Sequence, residues 1–316
     1  MRRAFEEIGY EVVDISGTVA QRRARRRRLK ALLSSGERPE FLYCENSTQP
    51  NALATSVRTG FAPVLDYSIM RLAHEHAVPI GVFYRDAYWR VSGLRAKGLY
   101  GRVSDLLQRA DLLGYRRNGA HFFLPSTAMS PLLGLTGSDS FSALPPGADA
   151  GRVLPLPPRG EGLRLVYVGG IGGHYDVSAL AAALARVNGV TLDLVVQRAQ
   201  WHEALRRDPR LSQKAIRVLH RTANELEPVY ARAGVGVLAV KPSRYWDIAV
   251  PVKLYEYLSH GRPIIATRGT EAGRIVEADG TGWVVDYDDD ALVSLLEDLR
   301  DHPEEVESRA RAARSM

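Results

Sequence analysis

The amino-acid sequence predicts an α/β protein made of two doubly wound parallel-sheet domains, and three observations lead there. Short β-branched runs alternate with helix-periodic stretches along most of the chain, the rhythm of βαβ units whose crossovers keep neighbouring strands parallel. Proline and glycine concentrate between Ala143 and Gly160, in a pattern that neither a helix nor a central strand tolerates. At 316 residues, 45% hydrophobic and 25% charged, the chain is long enough to bury two ordinary cores. The expected organisation is a first domain over 1–142, a linker over 143–162 and a second domain over 163–316. Ligands of such sheets sit beyond the carboxyl ends of the strands, so a cleft between the domains is the default binding place.

Taken in order, Arg3–Gly9 reads as a helix that leads into a strand at Glu11–Ile15. A basic helix runs through Arg22 to Leu33, and strands follow at Phe41–Cys44, Ile80–Tyr84 and His121–Leu124. In the second half, strands are expected at Leu163–Val168, Leu192–Val196, Ile216–Leu219, Val235–Val240, Pro263–Ala266 and Gly282–Val285. A helix starts near Asp176 after the first of these. Pro251 opens another, at the position where a missing N–H costs nothing, and Gly261 stops it. Asp286–Asp290 contains an Asp-x-Asp, but its place ahead of the helix Asp290–Asp301 fits N-capping better than metal binding.

The charge balance narrows the function classes. The formal charge is +6; residues 1–150 hold 20 Lys/Arg against 14 Asp/Glu and residues 151–316 hold 22 of each, so the excess lies in the first half. Arg22, Arg23, Arg25, Arg26, Arg27 and Arg28 form its densest run. A solvated basic helix is the default reading, and peripheral contact with an anionic membrane face is the functional one. The excess is mild for a nucleic-acid binder, and no nucleic-acid partner is expected. Cys44 is the single cysteine, so neither a disulfide nor a cysteine-based zinc site can be assembled. The acidic residues among the first twenty disagree with a signal peptide, and no run reaches bilayer-spanning length. A cytoplasmic location, peripheral at the inner membrane face, is the expectation.

The most informative segment is Pro251-Val252-Lys253-Leu254-Tyr255-Glu256-Tyr257-Leu258, followed by Gly261, Pro263, Ile264, Ile265 and Ala266. Lys253 and Glu256 lie one turn apart on one helix face. A carboxylate can accept two hydrogen bonds from adjacent ribose hydroxyls, and a lysine can meet a diphosphate as a mobile point charge. An ion pair within the helix is the alternative reading of the same two residues. Upstream, Val168-Gly169-Gly170-Ile171-Gly172-Gly173 ends a strand, where glycines let backbone amides approach a phosphate. A tight strand-to-helix turn explains the same glycines, and the spacing is not that of the dinucleotide fingerprint.

The segment from Pro251 to Ala266 resembles the nucleotide-sugar site of retaining glycosyltransferases of the GT-B fold, family 4-like (group 1). The resemblance is specific over Leu163–Asp301 and looser over Gly9–Ser130. It implies two Rossmann-like domains, ribose binding by Glu256, a diphosphate-facing loop at Gly170, Gly172 and Gly173, and donor contacts from the backbone of Val250 and Pro251. Such proteins place an arginine and a lysine after the glycine loop, where this chain has His174, Tyr175 and Asp176. That shifts the diphosphate to Lys253 and to Arg198, expected at the end of the strand Leu192–Val196. The glutamate that the pattern carries eight residues before the ribose-binding one is Ile248 here. Tyr84-Arg85-Asp86 resembles a sub-branch, making Arg85 and Asp86 candidates beside donor or acceptor, and His220 ends a strand at the edge of a base pocket. The resembled proteins also begin with an additional strand and continue beyond the helix Asp290–Asp301, so a missing first strand and a shortened end are expected.

The function expected is transfer of a hexose-type sugar from a nucleoside-diphosphate sugar to a glycan, polysaccharide or lipid-linked acceptor, with retention, with Arg85, Asp86 and Lys253 as catalytic candidates. No cofactor and no metal are expected. A non-catalytic nucleotide-sugar-binding scaffold is the alternative.

Overall fold

The computed structural model describes residues 2–54, 60–149, 151–158, 160, 162–173 and 175–315, and the chain divides into two compact units, Met1–Leu144 and Pro145–Met316. In the first, Arg2–Glu7 (α1) is a short helix held by Arg2–Glu6 and Arg3–Glu7 pairs at 3.0 and 2.8 Å. Val19–Ser34 (α2) starts on a capping box between Thr18 and Gln21. Leu42–Glu45 (β1), Asn51–Ala54 (α3), Leu65–Glu75 (α4), Ile80–Phe83 (β2), Gly98–Arg117 (α5), His121–Leu124 (β3), Ser130–Leu133 (α6) and Phe141–Ala143 (β4) complete the unit. Its sheet is parallel throughout, in the order β1-β2-β3-β4.

Two expectations change here. Glu11–Ile15 is not a strand: the segment carries no ladder among the described residues, and with β1 it lines a cavity of about 1000 Å³. A β-branched sequence becomes a strand only when a neighbour about 4.8 Å away can satisfy its amides, and here β1 is the outer strand of its sheet. Conversely, β4 falls where polar residues run into the proline belt, and it forms because Phe141 and Ala143 register against Phe122 and Leu124.

The six arginines of α2 also divide. Arg22 pairs with Asp66, Arg25 engages Asp14 and the Ser16 carbonyl, and Arg26 reaches the Ser68 carbonyl. Only Arg23, Arg27 and Arg28 of the set are exposed. The expectation that all six present themselves to a membrane is corrected accordingly: a helix 16 residues long turns part of any seven-residue run inward. No described helix is long and apolar enough to cross a membrane.

The second unit runs Leu163–Val168 (β5), Ser178–Leu184 (α7), Val190–Val195 (β6), Arg198–Arg207 (α8), Ile216–Leu219 (β7), Glu227–Arg232 (α9), Val235–Leu238 (β8), Val252–Ser259 (α10), Ile264–Thr267 (β9), Glu271–Ala278 (α11), Gly282–Val285 (β10), Asp289–Asp301 (α12) and Pro303–Arg314 (α13). Its six strands are parallel in the order β10-β9-β8-β5-β6-β7. Alternation along β5 fills both faces: Leu165 and Tyr167 enter one core, Val166 and Val168 the other. Burial on both sides gives the continuous apolar runs by which these strands are legible. On β8, Gly236 leaves room for the Tyr257 ring; a Cβ there would lie 2.4 Å from Tyr257 Cδ2.

The residues before β5 are built into this unit. The Leu154 amide donates to the His260 carbonyl at 3.3 Å, and the buried Arg262 donates to the Pro155 and Tyr230 carbonyls at 2.7 and 3.0 Å.

Candidate functional site

The strand order reverses between β5 and β8, the two strands from which the chain crosses to opposite sides. In an open parallel sheet that switch point leaves a crevice at the carboxyl ends, which is where a ligand can lie without displacing core. Two loops enter it, one after β5 and one after β8.

The first is a small hairpin. Gly172 and Tyr175 exchange backbone bonds at 3.0 and 3.1 Å, and Gly172 and Gly173 have φ of 89° and 62°, a left-handed region that other residues adopt only at a cost. Gly170 accepts from the Tyr167 hydroxyl at 2.7 Å, and the Tyr175 ring lies 3.1 Å from where a Gly170 Cβ would be. The following helix starts at Ser178 rather than near Asp176, because the Asp176 carboxylate accepts from the Ser178 amide (2.9 Å) and from the Tyr287 hydroxyl (3.0 Å), closing an Asx turn first. Burial pushes Asp176 up, but these bonds and the nearby Lys241 more than offset it, and its pKa is lowered. His174 lies outside the described residues.

The second loop is pinned to the first. The Lys241 amide donates to the Asp176 carbonyl at 3.3 Å, and the Tyr175 ring meets Trp246 edge-on at 5.3 Å. Ile248, Ala249 and Val250 are buried. Ile248 therefore serves the core where the resembled pattern has a glutamate, while the neighbouring Asp247 is exposed and its carbonyl accepts from Arg274. Pro251 is the N-cap of α10, so the helix begins beside the crevice with amide groups that have no intrahelical partner.

On α10, Lys253 Nζ is 2.6 Å from Glu256 Oε2, and the Tyr230 hydroxyl of α9 donates to the same oxygen at 3.0 Å. The ion pair within the helix is thus present. Both bonds fall on Oε2, and the Glu256 side chain is 29% exposed. The carboxylate is anchored and oriented, with Oε1 outside both contacts. Burial, then the neighbouring Tyr257 and Glu256, hold Tyr230 in its protonated, donating form. The Tyr257 hydroxyl, one turn beyond Lys253 on α10, accepts from the Val168 amide at 2.9 Å. This bond fixes α10 against the end of β5.

Gly170, Gly172, Gly173, Val250, Pro251, Lys253 and Glu256 therefore gather around one switch point. Arg198 does not end a strand: it is the first, exposed residue of α8, because β6 stops at Val195. His220, after β7, bonds the Val196 carbonyl through Nδ1 at 2.7 Å. A carbonyl only accepts, so Nδ1 carries a proton in this bond.

Arg85 and Asp86 belong to the first unit, at the carboxyl end of β2. Arg85 pairs with Glu45 of the adjacent strand at 2.9 Å. Asp86 accepts from Thr48 Oγ1 at 2.7 Å, and Thr48 is held in turn by Gln108, whose amide donates to its carbonyl at 3.0 Å. Gln108 Oε1 accepts from Tyr84, which accepts from Trp89. Burial raises the pKa of Asp86 despite the bonds from Thr48 and the Tyr88 amide. Among the described residues, no three His, Cys, Asp or Glu side chains form a ligand set for a metal.

Sequence reasoning missed Lys241 and Tyr230. Lys241 directly follows the run Val235–Val240, so its place at a strand's carboxyl end was readable. Tyr230 is 26 residues from Glu256, and nothing local signals the pairing.

Residues 162–302 match the family model described as glycosyl transferases group 1. None of the curated proteins matches the chain in sequence. Among solved structures, HepE from Anabaena in complex with UDP is similar with a TM-score of 0.62 at 11% identity, over 99% of this chain and 83% of that one. A glycosyltransferase from Rickettsia africae gives 0.60 at 10% identity over 99% and 81%. WaaG, a glycosyltransferase involved in lipopolysaccharide biosynthesis, gives 0.57 at 14% over 95% and 92%. At such identities the structural likeness establishes the fold, which is GT-B with two Rossmann-like domains. The fold and the domain matched over residues 162–302 together support a glycosyltransferase, an enzyme that takes sugar from a nucleotide-sugar donor.

Proposed function

We propose that the chain transfers a hexose-type sugar, with retention, from a nucleoside-diphosphate sugar to a glycan, polysaccharide or lipid-linked acceptor. The observation that carries this reading is the anchored Glu256 carboxylate at the switch point, with one oxygen held by Lys253 and Tyr230 and the other outside both contacts. Oε1 accepts from the ribose hydroxyls, and His220 borders the base. The amides of Gly172 and Gly173, the start of α10, Arg198 and Lys253 surround the diphosphate, and Lys253 moves from Glu256 toward it when donor binds. Val250 and Pro251 meet the donor through their backbone.

In the reaction the bond from the anomeric carbon to the diphosphate oxygen breaks, and its electron pair leaves with the diphosphate. The acceptor hydroxyl bonds to the same face of that carbon, and its proton passes to the departing phosphate oxygen. Preplaced cations and amides favour the charge that develops on the leaving group, so the scheme uses no divalent ion and no covalent intermediate. Arg85 and Asp86 act on the acceptor side. The acceptor is reached at an anionic membrane face, to which Arg23, Arg27 and Arg28 contribute charge.

Isothermal calorimetry with UDP and GDP, alone and as hexose conjugates, tests the donor reading. Glu256→Ala is expected to weaken binding about a hundredfold, the loss of two charge-assisted hydrogen bonds; unchanged affinity refutes it. The buried Ile248 supports a second reading, a nucleotide-sugar-binding scaffold. Donor binding without transfer or hydrolysis on any acceptor decides for that one.

A further inference from the structure

Helix α5 carries an apolar stripe that no described part of the protein covers. Leu99, Val103, Leu106, Ala110 and Leu113 are all exposed, Leu99 by 78% and Leu106 by 66%. Their spacing of four, three, four and three residues keeps them on one face, over a length of roughly 21 Å at 1.5 Å per residue. The opposite face is fully used: Gln108, Asp111, Leu112 and Tyr115 are buried in the unit's core. This is therefore a helix with two finished faces, one turned inward and one apolar face turned outward, in a protein where such a surface costs solubility.

The charges beside the stripe decide what covers it. Arg95, Lys97, Arg102, Arg109 and Arg117 are exposed around it. The nearby carboxylate, Asp105, is 17% exposed and already shared between Arg95 at 3.4 Å and Arg109 at 3.0 Å. A second copy of the chain is a poor partner. Arg102, Arg109 and Arg116 recur every seven residues along one flank of the seam, so an antiparallel pair of α5 helices sets arginine against arginine. A parallel pair sets the same flank against Tyr100, Leu107 and Gly114, and neither arrangement supplies a carboxylate. An anionic lipid surface meets every feature at once. It accepts the aliphatic side chains below the headgroups, holds the arginines at the phosphates, and suits Tyr100 at the boundary.

We propose that α5 is the element that seats this protein on an anionic bilayer, lying in the interface with Leu99, Val103, Leu106 and Leu113 inserted. The inference does not rest on the donor reading, since no residue of the switch-point crevice takes part.

Cosedimentation of the full chain with vesicles tests it, comparing phosphatidylcholine alone with a phosphatidylcholine–phosphatidylglycerol mixture. Binding to the mixture only is expected. The double variant Leu99→Glu/Leu106→Glu changes exposed positions, so melting temperature and UDP binding should hold while vesicle binding falls by at least about tenfold, from lost insertion and added repulsion. Arg102→Glu/Arg109→Glu should weaken binding as well and make what remains less sensitive to salt. The proposal is overturned by absence of binding to the mixed vesicles, or by binding that survives Leu99→Glu/Leu106→Glu but disappears in Arg23→Glu/Arg27→Glu/Arg28→Glu. A dimer in sedimentation equilibrium that Leu106→Glu dissociates would also overturn it, by assigning the stripe to a second copy.

Discussion

The Tyr230 hydroxyl donates to Glu256 Oε2 at 3.0 Å from a helix on the far side of β8 in sequence, and it shares that oxygen with Lys253. A carboxylate that has to present one oxygen to a ligand needs its rotation fixed, and a buried tyrosine fixes it without neutralising it. Tyr230→Phe should therefore weaken nucleotide binding about fivefold, the worth of one hydrogen bond of roughly 1 kcal/mol. The melting temperature should barely move, because Glu256 is open enough for water to replace the lost donor. Calorimetry beside thermal melts separates the two effects. Full-strength nucleotide binding in Tyr230→Phe would show that Lys253 alone orients the carboxylate.

Asp86 gives a pH-dependent prediction. Its pKa in the folded protein is raised, by burial foremost, while in the unfolded chain it returns to the ordinary 3.8. Between those values the native state binds more protons than the unfolded one, so this group makes stability fall as pH rises. The penalty is complete above the raised value and vanishes below the ordinary one. Asp86→Asn keeps an acceptor for Thr48 and removes the penalty. The variant should melt higher than the wild type at neutral pH, and the two curves should converge as the solution is acidified below the ordinary range. Convergence in the opposite direction would place Asp86 in an environment that favours its anion.

Arg262 is fully buried and faces carbonyls, not a carboxylate. Burial, with Arg314 nearby, pushes its pKa down to about 10, which still leaves it charged at neutral pH. The residue ties residues 154–155 to the second unit. Arg262→Met fills similar space but strands the Tyr230 and Pro155 carbonyls, which should cost about 2 kcal/mol and free the segment. Trypsin cleavage at Arg152 is the direct readout, expected to accelerate before any global unfolding. Equal cleavage rates would mean that the Leu154 and Arg314 contacts hold the segment alone.

The parts of this structure that were legible in the sequence are those with short-range causes. His121–Leu124, Leu163–Val168, Ile216–Leu219 and Gly282–Val285 form as strands at the bounds read from the chain, since short runs rich in β-branched and aromatic residues carry a local strand signal. The Asp-x-Asp caps its helix, Asp288 accepting from the Ala291 amide at 3.0 Å. What escaped depends on partners far along the chain. Whether Glu11–Ile15 becomes a strand is settled by the neighbour available to it, and whether Arg22 points to solvent is settled by Asp66. On α10, the Lys253–Glu256 ion pair was readable from its spacing, whereas the Tyr230 contact, which fixes how Glu256 is held, had no signature in either helix.

The unpaired segment makes the last prediction. Val12 and Val13 are β-branched, and they run beside β1 along the 1000 Å³ cavity with no ladder among the described residues. Amides that rely on solvent exchange with almost no opening free energy, whereas those in a ladder wait for sub-global opening. Hydrogen exchange followed by mass spectrometry should show residues 11–15 exchanging at least about a hundredfold faster than residues 80–83, whose strand pairs on both sides. Residues 42–45 pair on one side only, and alternate amides along that strand should fall between the two. Slow exchange across 11–15 would mean that the segment has found a strand partner in solution, and the account of why its sequence fails to form a strand would be wrong.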